Sequence, residues 1–357
     1  MEMTRLDKNI WAFGQLSNFL KAVANQNKKI VAKGLEEEYE NLNQIITELK
    51  NSNPWFIEEF VRYQLNALAD VTTFDKLSTW IEPYKEKLEK ASPKNIGVVM
   101  AGNIAFVGFH DFLSVLITNN RLLVKTSSKD SILPKFIINV LIKIEPHFKQ
   151  MIELQDKLEN FDAIIATGSD NTSRYFEYYF GKVPNIIRKS RNSIAILDGT
   201  ETEEDLDGLA DDIFLHFGLG CRNVSKIYIP EDFELQKIFK AVFKYSYLLN
   251  HHKYANNYEY NRAVYLLSQD NFLENGFFII REDTEIASPI AVLNYERYSK
   301  VEHLRRIYEA NKNKIQIVVS NMNFDNIETI KFGKSQIPEL DDYEDGVNTL
   351  EFLTNLN

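Results

Sequence analysis

From Ile96 to Phe180 the chain alternates short apolar runs with amphipathic stretches, and the connections between them are short. "IGVVMAGN", "RLLVKTSS" and "FDAIIATGS" read as strands. "FHDFLSVLITNN", "ILPKFIINVLIKI" and "DNTSRYFEYYF" read as the helices that follow them. A strand that reaches its neighbour through a helix returns in the same direction, so the pattern demands a parallel sheet with crossover helices. That single feature restricts the chain to the α/β class.

The rest of the chain is organised around this block. Residues 1–92 read as a helical N-terminal region, with apolar residues three and four apart in "NPWFIEEFVRYQLNALADV" and a helix start at Asn53 before Pro54. The break "KASPKN" opens an expected dinucleotide-binding domain over 93–197. A second α/β domain is expected over 198–330. It restarts with the acidic "TEEDLDGLADDIFLHFG" and holds the only cysteine, Cys221. Residues 331–357 form a less regular tail, expected to return to the cofactor side.

Composition excludes some functions. A net charge of -10 opposes nucleic-acid binding, which needs a basic face. No apolar run is long enough for a membrane span, and the start lacks the apolar core of a signal peptide. With a single cysteine, this points to the reducing cytoplasm.

In parallel sheets, ligands bind beyond the carboxyl ends of the strands, where helix N-termini offer amide donors to phosphates. The residues there are Asn103, Lys125 through Ser128, and Thr167-Gly168-Ser169. No G-x-G-x-x-G is present, so taken alone Thr167-Gly168-Ser169 reads more readily as a plain strand-to-helix turn, Lys125 as a solvated lysine at a sheet edge and Asn103 as a turn residue. Cys221, in "FGLGCRNVSKIYIP", is either a buried filler residue or a nucleophile. His216 reads as a packed or surface histidine. His251 and His252 lack metal-ligand spacing, and no metal site is expected. Tyr254, Asn257 and Tyr258 suit either an acyl channel or core packing.

Five segments in order resemble the aldehyde dehydrogenase superfamily, and within it the LuxC-type acyl-CoA reductases. "MAGNIAFVGFHDFL" is similar to its Trp-Asn-x-Pro segment, "LLVKTSSKD" to Leu-Lys-Pro-Ser-Glu, and "IIATGSD" to Phe-Thr-Gly-Ser. "FGLGCRNVS" resembles the Gly-Gln-x-Cys nucleophile segment and "EIASPIAVLNY" resembles Glu-Ile-Phe-Gly-Pro-Val. The resemblance runs from about Ile96 to about Tyr295. It implies an aldehyde dehydrogenase-like fold: a Rossmann-type cofactor domain beside an α/β catalytic domain.

The resemblance also implies roles. Cys221 would attack a thioester carbonyl, with the Asn103 amide and the backbone N–H of Cys221 holding the oxyanion. Lys125, Ser128, Thr167, Gly168 and Ser169 would bind the cofactor, and Glu285 would hold the nicotinamide ribose. The substrate would be a fatty acyl-CoA or an acyl-protein thioester, reduced to the aldehyde, with an acyl-protein synthetase as a partner.

Two departures from the superfamily pattern sharpen the expectation. Ile187 stands where hydrolytic members carry the glutamate that activates water, which favours acyl reduction over aldehyde oxidation. Ser128 stands where NAD-dependent members carry a glutamate for the adenosine ribose, and Lys125 and Lys129 lie beside it. NADPH is therefore the expected cofactor. "KEKLEKASPKN" leaves no room for the superfamily's oligomerisation hairpin, so weaker oligomerisation is expected. Two rivals stay open: a short-chain acylating aldehyde dehydrogenase, and a non-catalytic acyl- or nucleotide-binding scaffold.

Overall fold

In a computed structural model, which describes residues 3–356, the chain forms two compact units. The first comprises Met1–Lys189 with Pro338–Asn357, and the second Ser190–Ile337.

The first unit opens with helices α1 (Arg5–Ala24), α2 (Glu36–Ser52), α3 (Glu58–Val71), α4 (Phe74–Ile81) and α5 (Lys85–Lys90). Thr4 and Asp7 form a reciprocal capping box that starts α1. The helix is apolar on most of its circumference, and Phe13 meets Phe112 and Phe148 edge-on. The expected helix start at Asn53 is replaced by a turn. Asn53 ends α2, its Oδ1 accepts the Trp55 amide at 3.1 Å, and α3 begins only at Glu58. The short side chain of Asn53 mimics a backbone turn, which competes with its helix-capping role.

Next come β1 (Asn95–Val99), α6 (Phe109–Ile117), β2 (Arg121–Lys125), α7 (Ile132–Ile144), β3 (Ile152–Leu154), β4 (Ala163–Thr167), α8 (Asp170–Phe180) and β5 (Asn185–Arg188). The five strands are all parallel, in the order β3-β2-β1-β4-β5. β4 is buried almost throughout, as expected of a strand covered on both faces. The strand order reverses between β1 and β4, which is where an open parallel sheet leaves a crevice for a ligand.

The second unit contains β6 (Asn192–Ile196), α9 (Glu203–Phe214), β7 (Val224–Pro230), α10 (Gln236–Val242), α11 (His252–Ser268), β8 (Phe272–Glu274), β9 (Ile279–Glu282), β10 (Val292–Tyr298), α12 (Val301–Asn311), β11 (Ile315–Val319) and β12 (Thr329–Ile330). Its sheet runs β12-β11-β6-β7-β10-β9-β8, parallel except for the edge pair β8–β9. β6 pairs with β7 and β11, so the chain changes unit at Lys189–Ser190. A boundary at 197 would separate that strand from its own sheet. The helix α13 (Thr349–Thr354) lies in the returning C-terminal segment of the first unit.

Candidate active site

In the first unit, three strand ends lie level along one edge of the sheet. Val99 of β1 is in register with Lys125 at the end of β2 and with Ala166, next to Thr167 at the end of β4. The edge therefore gathers Asn103, Lys125 through Ser128, and Thr167 through Ser169. Asn103 and Ser128 are exposed. Lys125 reaches the Asp156 carbonyl at 2.7 Å. Ser169 caps α8, bonding Thr172 through its amide at 3.4 Å and its hydroxyl at 2.9 Å.

Close packing shapes this edge. A Cβ on Gly102 would lie 2.5 Å from Ser127 Oγ, so only glycine lets the Asn103 loop press against the turn after β2. At Gly168 a Cβ would lie 2.9 Å from the Phe176 ring, so glycine also lets α8 fold back on β4. Amides and hydroxyls at the α8 N-terminus beside the switch point, with the exposed Lys125 ammonium at the end of β2, form a donor set of the kind that suits a nucleotide's phosphates.

In the second unit, Cys221 is half-buried in the turn between α9 and β7. His216, Phe217 and Gly218 are successive left-handed residues at φ 54°, 59° and 72°. Non-glycine residues in that region are strained, and such strain gathers at functional sites. His216 is therefore not on the helix α9; it lies beyond its end, and burial pushes its pKa down to about 4. It is a neutral, packed imidazole at pH 7.

Asn223 holds the turn in shape. Its Oδ1 accepts the Gly220 amide at 2.8 Å, and its Nδ2 donates to the carbonyls of Asp212 at 3.1 Å and Leu215 at 2.9 Å. Ser193 Oγ donates to the Cys221 carbonyl at 2.8 Å, and Arg222 Nε donates to the Ser335 carbonyl at 2.6 Å. Glu285 is exposed on the loop between β9 and β10. Ser225, four residues past Cys221, donates to the Ile286 carbonyl at 2.7 Å, so the strand behind the cysteine is tied to the Glu285 loop.

Other candidates fall elsewhere. Tyr254 and Tyr258 are core residues whose hydroxyls bond the Phe277 carbonyl at 3.1 Å and Glu274 at 2.7 Å. His251 caps α11. His110, Asp111 and Glu344 bring ligand atoms within 4.8 Å of one another, but the Arg188 guanidinium already lies 2.5 Å from Asp111 and 3.7 Å from Glu344.

Sequence reasoning missed Asn223, and it missed Asp130, which is buried beneath the Asn103 loop and accepts the Phe106 amide. For Asn223 the available signal was a polar residue beside a glycine-rich turn, which has too many innocent explanations to be singled out, and Asp130 in "TSSKDS" carries no such mark.

Comparison with known proteins matches residues 13–238 to the family described as acyl-CoA reductase (LuxC). A long-chain acyl-protein thioester reductase of Aliivibrio fischeri is 23% identical over 350 residues, covering 85% of this chain and 71% of the relative. Long-chain acyl-protein thioester reductase 2 of Photobacterium leiognathi is 24% identical over 180 residues, covering 46% of this chain and 37% of the relative. Among solved structures, aldehyde dehydrogenase 21 of Physcomitrella patens superposes with a TM-score of 0.65 at 13% identity, covering 99% of this chain and 87% of that one. Glyceraldehyde-3-phosphate dehydrogenase GapN of Methanocaldococcus jannaschii, complexed with NADP, gives 0.61 at 12%, covering 100% and 93%. The fold is that of the aldehyde dehydrogenases, and the chain belongs to the acyl-CoA reductase (LuxC) family.

Proposed function

We propose that this protein reduces a long-chain fatty acyl thioester to the fatty aldehyde, with NADPH as reductant and Cys221 as the acyl carrier. The observation that carries this reading is Cys221 itself. It is the only cysteine, half-buried, in a turn fixed by Asn223 and preceded by strained backbone.

The Cys221 thiolate attacks the thioester carbonyl, the donor's carbon–sulfur bond breaks, and the thiol of coenzyme A or of a carrier protein leaves. Acyl exchange between thiols is nearly balanced, so the enzyme loses little by holding the group. The Asn103 amide and the Cys221 backbone N–H hold the oxyanion, the roles that the family resemblance gives them. Reduced nicotinamide, when bound, supplies the hydride. The resulting thiohemiacetal on Cys221 breaks its carbon–sulfur bond, releasing aldehyde and restoring the thiolate.

Lys125, Ser128, Thr167, Gly168 and Ser169 hold the nucleotide, and Glu285 holds the nicotinamide ribose. The relatives' substrate, an acyl-protein thioester, is the preferred donor, with an acyl-protein synthetase as the partner that supplies it. No helix among the described residues is long and apolar enough to cross a membrane. A thiol nucleophile favours the reducing cytoplasm.

The test is to mix the protein with a radiolabelled long-chain acyl-CoA and no NADPH. One label per chain should remain on Cys221 and come off with hydroxylamine, because Ile187 stands where a hydrolytic base would be. NADPH should then release it as aldehyde. NADPH oxidation that survives Cys221→Ala would end this reading. Nucleotide binding without labelling or turnover by any donor would favour the scaffold.

A further inference from the structure

The backbone of the Glu285 loop is held by side chains from two neighbouring strands. Lys226 Nζ donates to the Thr284 carbonyl at 2.8 Å. Asn294 Nδ2 donates to the Glu285 carbonyl at 3.0 Å and the Ala287 carbonyl at 3.1 Å. Ser225 Oγ donates to the Ile286 carbonyl at 2.7 Å. Four successive carbonyls are thus bonded by residues of β7 and β10, and Lys226 and Asn294 are register partners on those strands. The Glu285 amide completes the arrangement by donating to Asp283 Oδ1 at 2.9 Å.

Lys226 is the unusual member. It is fully buried in a parallel strand, where a lysine is costly unless its charge is paired and its donors are used. Both conditions are met. Nζ is 2.6 Å from Glu296 Oε2, bonds the Thr284 carbonyl, and lies 4.9 Å from the centre of the Tyr228 ring. An apolar residue would fill the interior of β7 without a desolvation cost. What lysine adds is a long arm from the strand that follows Cys221 to the loop that presents Glu285.

We propose that Lys226 is a positioning residue for the cofactor: it fixes the Glu285 loop, and so controls nicotinamide binding and the reductive step while leaving acylation of Cys221 untouched. This rests on the reading of Glu285 as the ribose ligand. Lys226 itself touches neither substrate nor cofactor. Its effect travels through one carbonyl into a backbone held at every residue from 284 to 287.

The experiment separates the two half-reactions. Lys226→Met, Lys226→Arg, Glu285→Gln and the Lys226→Met/Glu285→Gln double variant are compared by three measurements. These are labelling of Cys221 by acyl-CoA without NADPH, the NADPH dissociation constant by fluorescence, and single-turnover reduction of the pre-acylated enzyme. Lys226→Met should label at the wild-type rate, bind NADPH at least threefold more weakly, and reduce about ten- to a hundredfold more slowly, as expected of a misplaced reactant. Lys226→Arg should recover most of the reduction rate, and the double variant should be no slower than Glu285→Gln.

Wild-type reduction by Lys226→Met beside an impaired Glu285→Gln overturns the Lys226 inference alone, as does an additive double variant. Wild-type reduction by Glu285→Gln overturns the reading of Glu285 and the inference with it. If Lys226→Met does not fold, Ser225→Ala loosens the same loop by a neutral bond, and an unaltered NADPH affinity and reduction rate there also overturn the proposal.

Discussion

The Asp130 carboxylate accepts the backbone amide of Phe106 at 2.9 Å, and Phe106 is held at φ 60°, in the left-handed region. A buried acid thus stabilises the bend that follows Asn103. Burial raises the Asp130 pKa to about 6, against the lowering effect of the Phe106 and Leu133 amides. Between about pH 4 and pH 6 the folded chain therefore keeps a proton that the unfolded chain has lost, so this group's contribution to stability falls as pH rises. The full loss is about 3 kcal/mol above pH 6. Asp130→Asn imitates the protonated form. Its stability relative to wild type should improve by about 2 kcal/mol from pH 4.5 to pH 7.5, since part of the loss has already occurred by pH 4.5. Urea unfolding followed by tryptophan fluorescence reads this directly, because Trp11, Trp55 and Trp80 all lie in the first unit. A pH-independent difference would show that Asp130 does not titrate in the fold.

A second buried charge anchors the C-terminal segment. Arg188 donates to Asp111 at 2.5 Å and to Thr349 Oγ1 at 3.1 Å, and lies 3.7 Å from Glu344. Burial by itself would lower the Arg188 pKa, but the Asp111 and Glu344 carboxylates raise it. Burial also raises the Asp111 pKa, while Arg188 lowers it. With a guanidinium that cannot give up its proton at this distance, the pair is charged. Arg188→Met strands a buried carboxylate and should cost about 3–5 kcal/mol. It should also expose residues 338–357 to limited proteolysis. Arg188→Met/Asp111→Leu should recover most of the loss, and a double variant as weak as the single one would refute the pairing argument.

These two pairs show what a sequence discloses and what it withholds. "ILPKFIINVLIKI" and "DNTSRYFEYYF" read as helices and coincide with α7 and α8, because local periodicity carries the helix signal. Lys125 and Thr167 are legible as strand ends for the same reason, and they are the last residues of β2 and β4. Arg188 is 77 residues from Asp111, and Lys226 is 70 from Glu296. No periodicity links such distant positions. The readable trace is a charge inside an apolar run, Lys226 in "VSKIYIP" or Asp111 in "FHDFLSVLI". It signals a buried partner without naming one. Asn53 misled for the opposite reason, since its own turn chemistry outweighs the helix-start signal of Asn-Pro.

In the proposed reading, the preference for NADPH depends on Ser128, exposed in the turn after β2 with Lys125 and Lys129 also exposed. The turn is braced: Lys129 donates its amide to Ser127 Oγ at 3.2 Å, and Asn53 Nδ2 donates to the Lys129 carbonyl at 3.2 Å. A substitution at Ser128 therefore changes the charge at this point more than the shape of the backbone. On that reading, Ser128→Glu places a carboxylate against the 2′-phosphate of NADPH and offers an acceptor to the ribose hydroxyls of NADH. The ratio of kcat/KM for NADPH to that for NADH should fall at least tenfold, which corresponds to about 1.4 kcal/mol. Lys129→Ala should weaken NADPH alone, and high salt should narrow the preference in wild type because the charges are exposed. If Ser128→Glu leaves the ratio unchanged, the 2′-phosphate is not read at this turn, and the preference for NADPH loses its physical basis.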